Sequence, residues 1–131
     1  MKTPMLGFAA CLMLHSAAQA QFMDADDLHT FCQQKHPVAF GYIAGVLDRW
    51  SRDLHHAEMS DVVDAENNRP KSKVPVTEKI RANVCDPDTI TLEEQVKIVC
   101  AFVAANPKER GRSADMLVQL AMQAKWPCTL R

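Results

Sequence analysis

The side chains of this sequence that are best suited to chemistry are histidines and cysteines in its first half. His29, Cys32 and His36 have spacings that would place them on one face of a helix, where they could bind a metal ion. Cys32 is also a candidate for a disulfide, however, and Pro37 would end such a helix at His36. We therefore expect no metal and no other cofactor.

The sequence lacks the catalytic motifs of common enzyme classes. It contains no G-x-S-x-G, no H-E-x-x-H and no glycine-rich phosphate loop. His55 and His56 are adjacent, so on a helix they would point in different directions. A cysteine nucleophile is not expected, because each cysteine after the first twenty residues has a candidate disulfide partner. No catalytic set is therefore marked out.

The first twenty residues have the layout of a secretory signal peptide. Lys2 gives a positive start, residues 5–14 form a short apolar run, and Ala18-Gln19-Ala20 matches a cleavage site. The run is only about half as long as a membrane span requires. The apolar run before Cys11 is also very short for a lipoprotein site. We therefore expect cleavage after this segment and a periplasmic location.

Size and charge limit the class of the remaining chain. Residues 21–131 are enough for a single domain with one modest core. Lys2 is the only charged residue among residues 1–20, so cleavage leaves a net charge of −2. Nucleic-acid binding requires a strongly basic face, so no nucleic-acid partner is expected. No later stretch is long and apolar enough to anchor the chain in a membrane.

Four cysteines remain after cleavage, and an even number in a short secreted chain implies two disulfides. Four cysteines allow three connectivities. Cys85 and Cys128 flank the outer ends of the last two predicted helices, so the preferred bond closes that hairpin and contributes roughly 4 kcal/mol. Cys32 and Cys100 are assigned to the second bond by elimination.

Apolar periodicity predicts an all-α fold, a small disulfide-stabilised bundle of four main helices with a long loop between the second and third. Asp24 is the expected N-cap of the first helix. The second covers residues 37–56 and contains Gly41 and Gly45. Because glycine within a helix costs about 0.5–1 kcal/mol, we expect these two to permit close packing against another helix.

The last third of the chain predicts two antiparallel helices. Thr91 and Glu94 have the spacing of a capping box, which marks the start of the third main helix. Pro107 ends it, because proline cannot donate to the helical ladder. Ser113 is the expected N-cap of the fourth helix, which ends near Trp126.

The connection between the second and third main helices, residues 58–83, has few large apolar residues and a polarised charge. Its first part is acidic and its second part is basic. A turn or two of helix fits its start, another fits residues 77–82, and residues 67–76 are predicted to be an exposed loop. A loop of this length in a compact domain is usually functional or disordered.

Together these features resemble the Rap/Tai family of immunity proteins, which are small periplasmic helical proteins that protect bacteria against type VI secretion toxins. The resemblance rests on an ordered set of short motifs that covers nearly all of the chain after residue 20. The matching residues are Gly41, Tyr42, Gly45, Asp48, Cys85, Asp86, Pro87, Asn106, Pro107, Arg110, Trp126, Pro127 and Cys128.

The sequence departs from the family pattern in two places. The family commonly has a cysteine near Ala39, which is absent here, whereas Cys100 is present instead. The chain between Trp50 and Cys85 is also longer than is usual in the family. That insertion is where features particular to this member are expected.

The resemblance implies a protein that binds and neutralises a cognate effector, for example a peptidoglycan amidase, without catalysis of its own. It also allows a homo-oligomer. We hypothesise that the region 66–73 contacts the effector, because its charge reversal could steer and orient a partner. The candidate contact residues are Glu66, Asn67, Asn68, Arg69, Lys71 and Lys73.

Two other classes of protein share some of these features. A small periplasmic acid-stress chaperone would also be helical, disulfide-bonded and of similar size, and it would bind many clients at acid pH. A small secreted enzyme could use a metal held by His29 and His36, and it would contain stoichiometric metal. A single toxin partner would distinguish an immunity protein from both.

Overall fold

The computed structural model describes residues 22–67, 75–81, 84, 85, 87 and 89–128 of the 131-residue chain. The predicted signal peptide and most of the predicted loop lie outside the described residues. Within those residues no helix combines the length and the apolar character that crossing a bilayer requires. The helices are α1 (Ala25–Gln33), α2 (Pro37–Glu66), α3 (Val76–Arg81), α4 (Leu92–Ala105) and α5 (Ala114–Lys125), with a 3-10 helix at Pro107–Gly111. The predicted all-α, disulfide-bonded fold is confirmed.

Four of the helices build one hydrophobic core. α4 and α5 form a hairpin around the 3-10 helix, and α1 and α2 pack against it. Each of the four contributes large side chains that are almost fully buried: Leu28, Ile43, Val99, Val103, Leu117 and Val118. Burying a side chain of this size contributes about 1.5–3 kcal/mol relative to leaving it in water. The core is therefore centred on the α4–α5 hairpin.

Two predicted helix starts are confirmed. The Asp24 carboxylate accepts a hydrogen bond from the Asp27 N–H at 2.8 Å, which caps α1. At the start of α4, the Glu94 N–H donates to the Thr91 hydroxyl and the Thr91 N–H donates to the Glu94 carboxylate, at 3.3 and 3.1 Å. This is the predicted capping box. Ser113 occupies the N-cap position of α5, but its side chain makes no capping hydrogen bond.

Two disulfides tie the helices together. Cys32 of α1 is bonded to Cys100 of α4, with their Cα atoms 5.4 Å apart. Cys85, before α4, is bonded to Cys128, after α5, with Cα atoms 5.0 Å apart. Beside this second bond, the Cys85 N–H donates to the Trp126 carbonyl at 2.9 Å. The first bond fixes α1 on α4, and the second closes the open end of the α4–α5 hairpin.

The predicted end of the second helix at His56 is wrong, because α2 continues to Glu66. The sequence of these extra turns has few large apolar residues, which suggested a connection. The extra turns can be stable outside the main core, however, because α3 packs against α2. α3 lies where a further turn of helix was expected, and the interval between α2 and α3, residues 67–75, nearly coincides with the predicted loop of residues 67–76.

The expected role of Gly41 and Gly45 is also wrong. A Cβ atom placed on either glycine would meet no atom of the described residues within 4 Å, so neither permits close packing against the part of the chain that the structure describes. The reason is geometric, because each glycine lies two positions from the buried Ile43. Two positions correspond to about 200° around a helix, so both glycines lie on the exposed side of α2.

The capping box predicts a specific pH dependence of stability. Hydrogen bonds from the backbone N–H and hydroxyl of Thr91 lower the pKa of Glu94. The stability contributed by this lowered pKa is present above the ordinary pKa of a glutamate, about 4.3, and is lost as the pH falls through the lowered value. Wild type should therefore unfold at higher urea than Glu94→Gln at pH 7, and the difference should shrink below about pH 4.

The matched control is Glu93→Gln, because Glu93 lies beside Glu94 in the first turn of α4 but outside the capping box. Its urea midpoint should differ less from wild type at pH 7 than that of Glu94→Gln. A pH-independent difference for Glu94→Gln would contradict this account of the capping box.

Candidate functional site

The last turns of α2 and the whole of α3 form a helical arm, which we define as residues 57–66 and 76–81. None of these residues belongs to the main core cluster, whose α2 members end at Leu47. Among the described helices, α3 contacts only α2. At a rise of 1.5 Å per residue, the α2 part of the arm is about 15 Å long. The arm is therefore held by its own contacts rather than by the core.

An indole hydrogen bond fixes the base of the arm. The Nε1–H of Trp50 donates to the main-chain carbonyl of Ile80 at 2.6 Å, in a half-buried position. Arg81 and Glu58 add an ion pair at 3.6 Å between partly exposed side chains. Because exposed pairs contribute little, the Trp50 bond and the packing around it are the main attachment.

One carboxylate caps the start of α3. Asp61 accepts hydrogen bonds from the Val76 N–H at 3.3 Å and from the Thr77 N–H at 3.2 Å. It also accepts a hydrogen bond of 2.6 Å from the Thr77 hydroxyl. The first N–H groups of a helix have no partner within the helix, so a carboxylate from a neighbouring helix can satisfy them. Asp61 thus fixes the register of α3 on α2.

The side of the arm that faces away from α3 carries an apolar ridge, which we define as Met59, Val62 and Val63. These positions follow the spacing of one helix face, and Asp61 and Ala57 lie on the opposite face. The side chains are 52%, 52% and 43% exposed, respectively. Because these three apolar side chains are exposed together on one helix face, we treat the ridge as the candidate protein interaction site.

The predicted contact region begins at the tip of the arm. Glu66 is the last residue of α2, and Asn67 is its C-cap. The Asn67 backbone N–H and side-chain amide both donate to the Val63 carbonyl, at 3.1 and 2.8 Å. The other candidate contact residues, Asn68, Arg69, Lys71 and Lys73, lie outside the described residues.

Sequence reasoning missed the apolar ridge, although its signal was present. Met59, Val62 and Val63 have helical spacing, but the predicted helix ended at His56. Because the predicted helix ended before them, the three residues were assigned to the connection, and their helical spacing was not used. The contacts of Asp61 with Thr77, sixteen positions away, left no comparable local signal.

Two of the three residues that could have formed a metal site, Cys32 and His36, have other roles. Cys32 is bonded to Cys100, and the Nδ1 atom of His36 accepts a hydrogen bond from the Val38 N–H at 3.2 Å, which caps α2. No three metal-ligating side chains lie close enough to hold an ion within the residues that the structure describes.

The residues that carry the family resemblance are distributed over the bundle. Gly41, Gly45 and Asp48 are exposed on α2, and Tyr42 packs against the core. Burial raises the pKa of Tyr42, and the nearby Asp115 carboxylate raises it further. Pro87 is exposed, Pro107 opens the 3-10 helix, and Pro127 bridges to Val84. No single cluster contains them all, so their geometry alone assigns no binding site.

Comparison with known proteins identifies a family model that covers most of the chain. The family model described as Rap1a immunity proteins matches residues 24–128. That range contains every helix of the structure, both disulfides and the arm. No curated protein and no solved structure matches the chain.

The Asp61 cap can be tested without a binding partner. In Asp61→Ala, α3 loses the carboxylate that satisfies its first N–H groups, and caps of this kind contribute about 0.5–2 kcal/mol. Hydrogen exchange measured by mass spectrometry should become faster in peptides that cover residues 76–81. The core helices should keep their protection, because the arm contributes nothing to the main core cluster.

Glu66→Ala is the control, because it removes a carboxylate from the exposed end of the same helix. It should leave exchange in α3 unchanged. Unchanged exchange of α3 in Asp61→Ala would contradict the proposed cap, and faster exchange throughout the core would show that the arm is not a separate unit.

Proposed function

Because the family model matches most of its length, the chain belongs to the Rap1a immunity proteins, and we propose that it binds and neutralises a cognate type VI secretion effector in the periplasm. The apolar ridge on the arm is the observation that carries the proposal. Family membership implies an effector as the binding partner. The proposed inhibition is steric, since the arm covers the active site of the effector and supplies no chemistry of its own.

The arm has the properties of a preorganised binding element. Its α2 part continues a helix whose first half packs one face against the core, and both helices of the arm are already formed in the free protein. Asp61 and Trp50 hold α3 in place by direct hydrogen bonds. Binding would therefore cost little ordering entropy, which raises affinity for a given contact area.

The apolar ridge supplies contacts of the kind that dominate protein interfaces. A few large side chains near the centre of an interface usually contribute most of the binding energy. Met59 is flexible and polarizable, so it adapts to irregular surfaces. Val62 and Val63 are stiff at χ1 and lose little side-chain entropy on binding. We place the ridge at the centre of the interface and the charged residues around it at the rim.

The charges at the end of α2 and in the segment that follows it can orient the effector. The end of α2 is acidic, whereas Arg69, Lys71 and Lys73 of the following segment are basic. Complementary charge patterns across an interface increase association rates and fix the relative orientation of the two proteins. The region 66–73 is therefore proposed as a second part of the effector contact.

Two features support a periplasmic site of action. Both disulfides join elements of the folded domain, and such bonds persist in oxidising compartments. The first twenty residues of the sequence have the layout of a signal peptide. A peptidoglycan amidase would reach the same compartment as its substrate, so that class of effector is our specific proposal.

Deletion of residues 67–73 tests whether the segment that follows α2 contributes to effector binding. The mature oxidised protein is first used as bait for the secreted effectors of the organism, and the captured effector is then purified. The deletion variant should keep its helical circular dichroism and its Tm but lose binding of that effector and protection of cells. Unchanged binding would overturn the role of the tip.

The apolar ridge is tested by substitutions that keep side-chain size. Met59→Gln should weaken effector binding by about 10- to 100-fold, since a buried apolar contact of this size contributes roughly 1.5–3 kcal/mol. Met116→Gln is the matched control, because Met116 is a similarly exposed methionine on α5. Calorimetry of both variants with the purified effector measures the effect.

Equal affinities of the Met59 and Met116 variants would contradict the role of the ridge. An effector-free mature protein that suppresses aggregation of many unrelated proteins at acid pH would instead support a chaperone.

A further inference from the structure

A second apolar feature lies at the other end of α2, away from the arm. The end of α1, the start of α2 and the first half of α4 enclose a groove of about 510 Å³. Phe31, Phe40 and Val96 line it, together with the Cys32–Cys100 disulfide. Sites for small ligands and for anchoring side chains typically measure about 300–1,000 Å³. The groove is therefore large enough to bury one large side chain and its neighbours.

The rim of the groove carries a small excess of positive charge. Lys35 and Lys97 stand on it, against the single carboxylate of Glu93. All three side chains are exposed. His36 is the remaining polar residue, and its Nδ1 atom is already occupied by the Val38 N–H. A ligand that combines an apolar group with carboxylates would complement both the walls and the rim.

The backbone at Lys35, beside the groove, has a conformation that lysine rarely adopts. α1 ends in a Schellman motif, in which the Lys35 N–H donates to the Cys32 carbonyl and the His36 N–H donates to the Phe31 carbonyl, at 3.1 and 2.9 Å. Lys35 occupies the position that usually holds glycine, and its φ is 51°. A side chain in this left-handed region strains the backbone. Strain that is retained next to a groove points to a function.

We propose that this groove binds a large apolar side chain, aromatic or leucine-like, that is flanked by carboxylates on the surface of the effector. The inference rests on the proposed function, because the effector is the partner. The apolar side chain occupies the space between Phe31, Phe40 and Val96. Its acidic neighbours pair with Lys35 and Lys97.

The groove and the apolar ridge are separate contacts. Phe40 and Met59 are nineteen positions apart on α2, which corresponds to about 28 Å along the helix axis. A small folded domain can contact both sites, since it measures about 30 Å across. Changes at the groove and at the ridge should therefore weaken the same effector independently.

A short peptide tests the chemistry of the groove without any effector. The probe is acetyl-Asp-Phe-Asp-amide, titrated into the mature oxidised protein and followed by amide chemical shifts. Shifts should appear at residues 31–40 and 93–100. The controls acetyl-Asn-Phe-Asn-amide and acetyl-Asp-Ala-Asp-amide should each bind more weakly. No binding of the acidic phenylalanine peptide, or equal binding of all three peptides, would overturn the proposal.

Lys35→Gly separates binding from folding. Glycine suits the left-handed position, so the variant should keep or raise Tm while its affinity for the peptide falls about 2- to 5-fold, the range expected for an exposed ion pair. Lys97→Gln should weaken binding by a similar factor. Lys108→Gln, on the 3-10 helix away from the groove, should have no effect. Unchanged affinity in both groove variants would overturn the role of the rim.

The purified effector distinguishes this inference from the proposed function. If Met59→Gln weakens effector binding and the groove variants do not, the proposed function stands and the groove proposal fails. If no effector is captured but the acidic peptide binds, the chemistry of the groove stands and its assigned partner fails.

A second copy of this chain is the competing occupant. Phe22 is 99% exposed and lies close to acidic residues at the start of α1, so it has the chemistry that the groove would bind. Analytical ultracentrifugation of wild type and Phe22→Gln examines this alternative. A wild-type dimer that dissociates in Phe22→Gln would overturn the effector as the occupant, whereas a monomeric wild type would support it.

Discussion

The architecture depends on the covalent attachment of α1 and of the chain before α4 to the α4–α5 hairpin. Removing Cys32–Cys100 would leave α1 held mainly by Leu28 and its neighbours in a small core. Removing Cys85–Cys128 would open the hairpin where the chain before α4 meets the residues after α5. Cross-links of this kind restrict the unfolded chain and typically contribute about 2–4 kcal/mol each. A domain of this size can then stay folded with a modest core, and the second half of α2 is not needed to complete it.

Because the second half of α2 is not needed to complete the core, one helix can serve both packing and binding. The first turns of α2 bury Ala39 and Ile43 in the core, whereas Asp61 in its last turns caps α3. The exposed side of the same helix carries Gly41 and Gly45 at one end and the apolar ridge at the other. A rigid helix of thirty residues holds these surfaces at fixed distances, so it can present several contacts to one partner without further ordering.

Local sequence signals predicted much of the fold. The capping box at Thr91 and Glu94 and the cap at Asp24 involve residues three positions apart, so spacing alone reveals them. The all-α class followed from apolar periodicity. The extension of α2 did not, because its support comes from Asp61 and Trp50 contacting α3 across fifteen to thirty positions. Contacts of that range cannot be recognised from the local sequence of either segment.

The candidate site could be derived from the sequence only in part. The segment after α2 stands out by its length and charge, and Glu66 and Asn67 lie at the end of the arm, but their contact with an effector stays a prediction. The apolar ridge was overlooked, since half-exposed valines and a methionine are uninformative until the helix that aligns them is known. The groove could not be predicted from the sequence either, because Phe31, Phe40 and Val96 come from three different helices. Only the left-handed backbone at Lys35 marks it locally, and no sequence pattern indicates a lysine in that conformation.

Hydrogen exchange of the purified complex is the most direct test of the central claim that the arm binds the effector. The mature oxidised protein would be compared alone and with the captured effector bound, by mass spectrometry of overlapping peptides. Our account predicts slower exchange on binding in residues 57–66 and 76–81, with little change in α5. Slower exchange confined to α5 or to the 3-10 helix, with the arm unchanged, would contradict it.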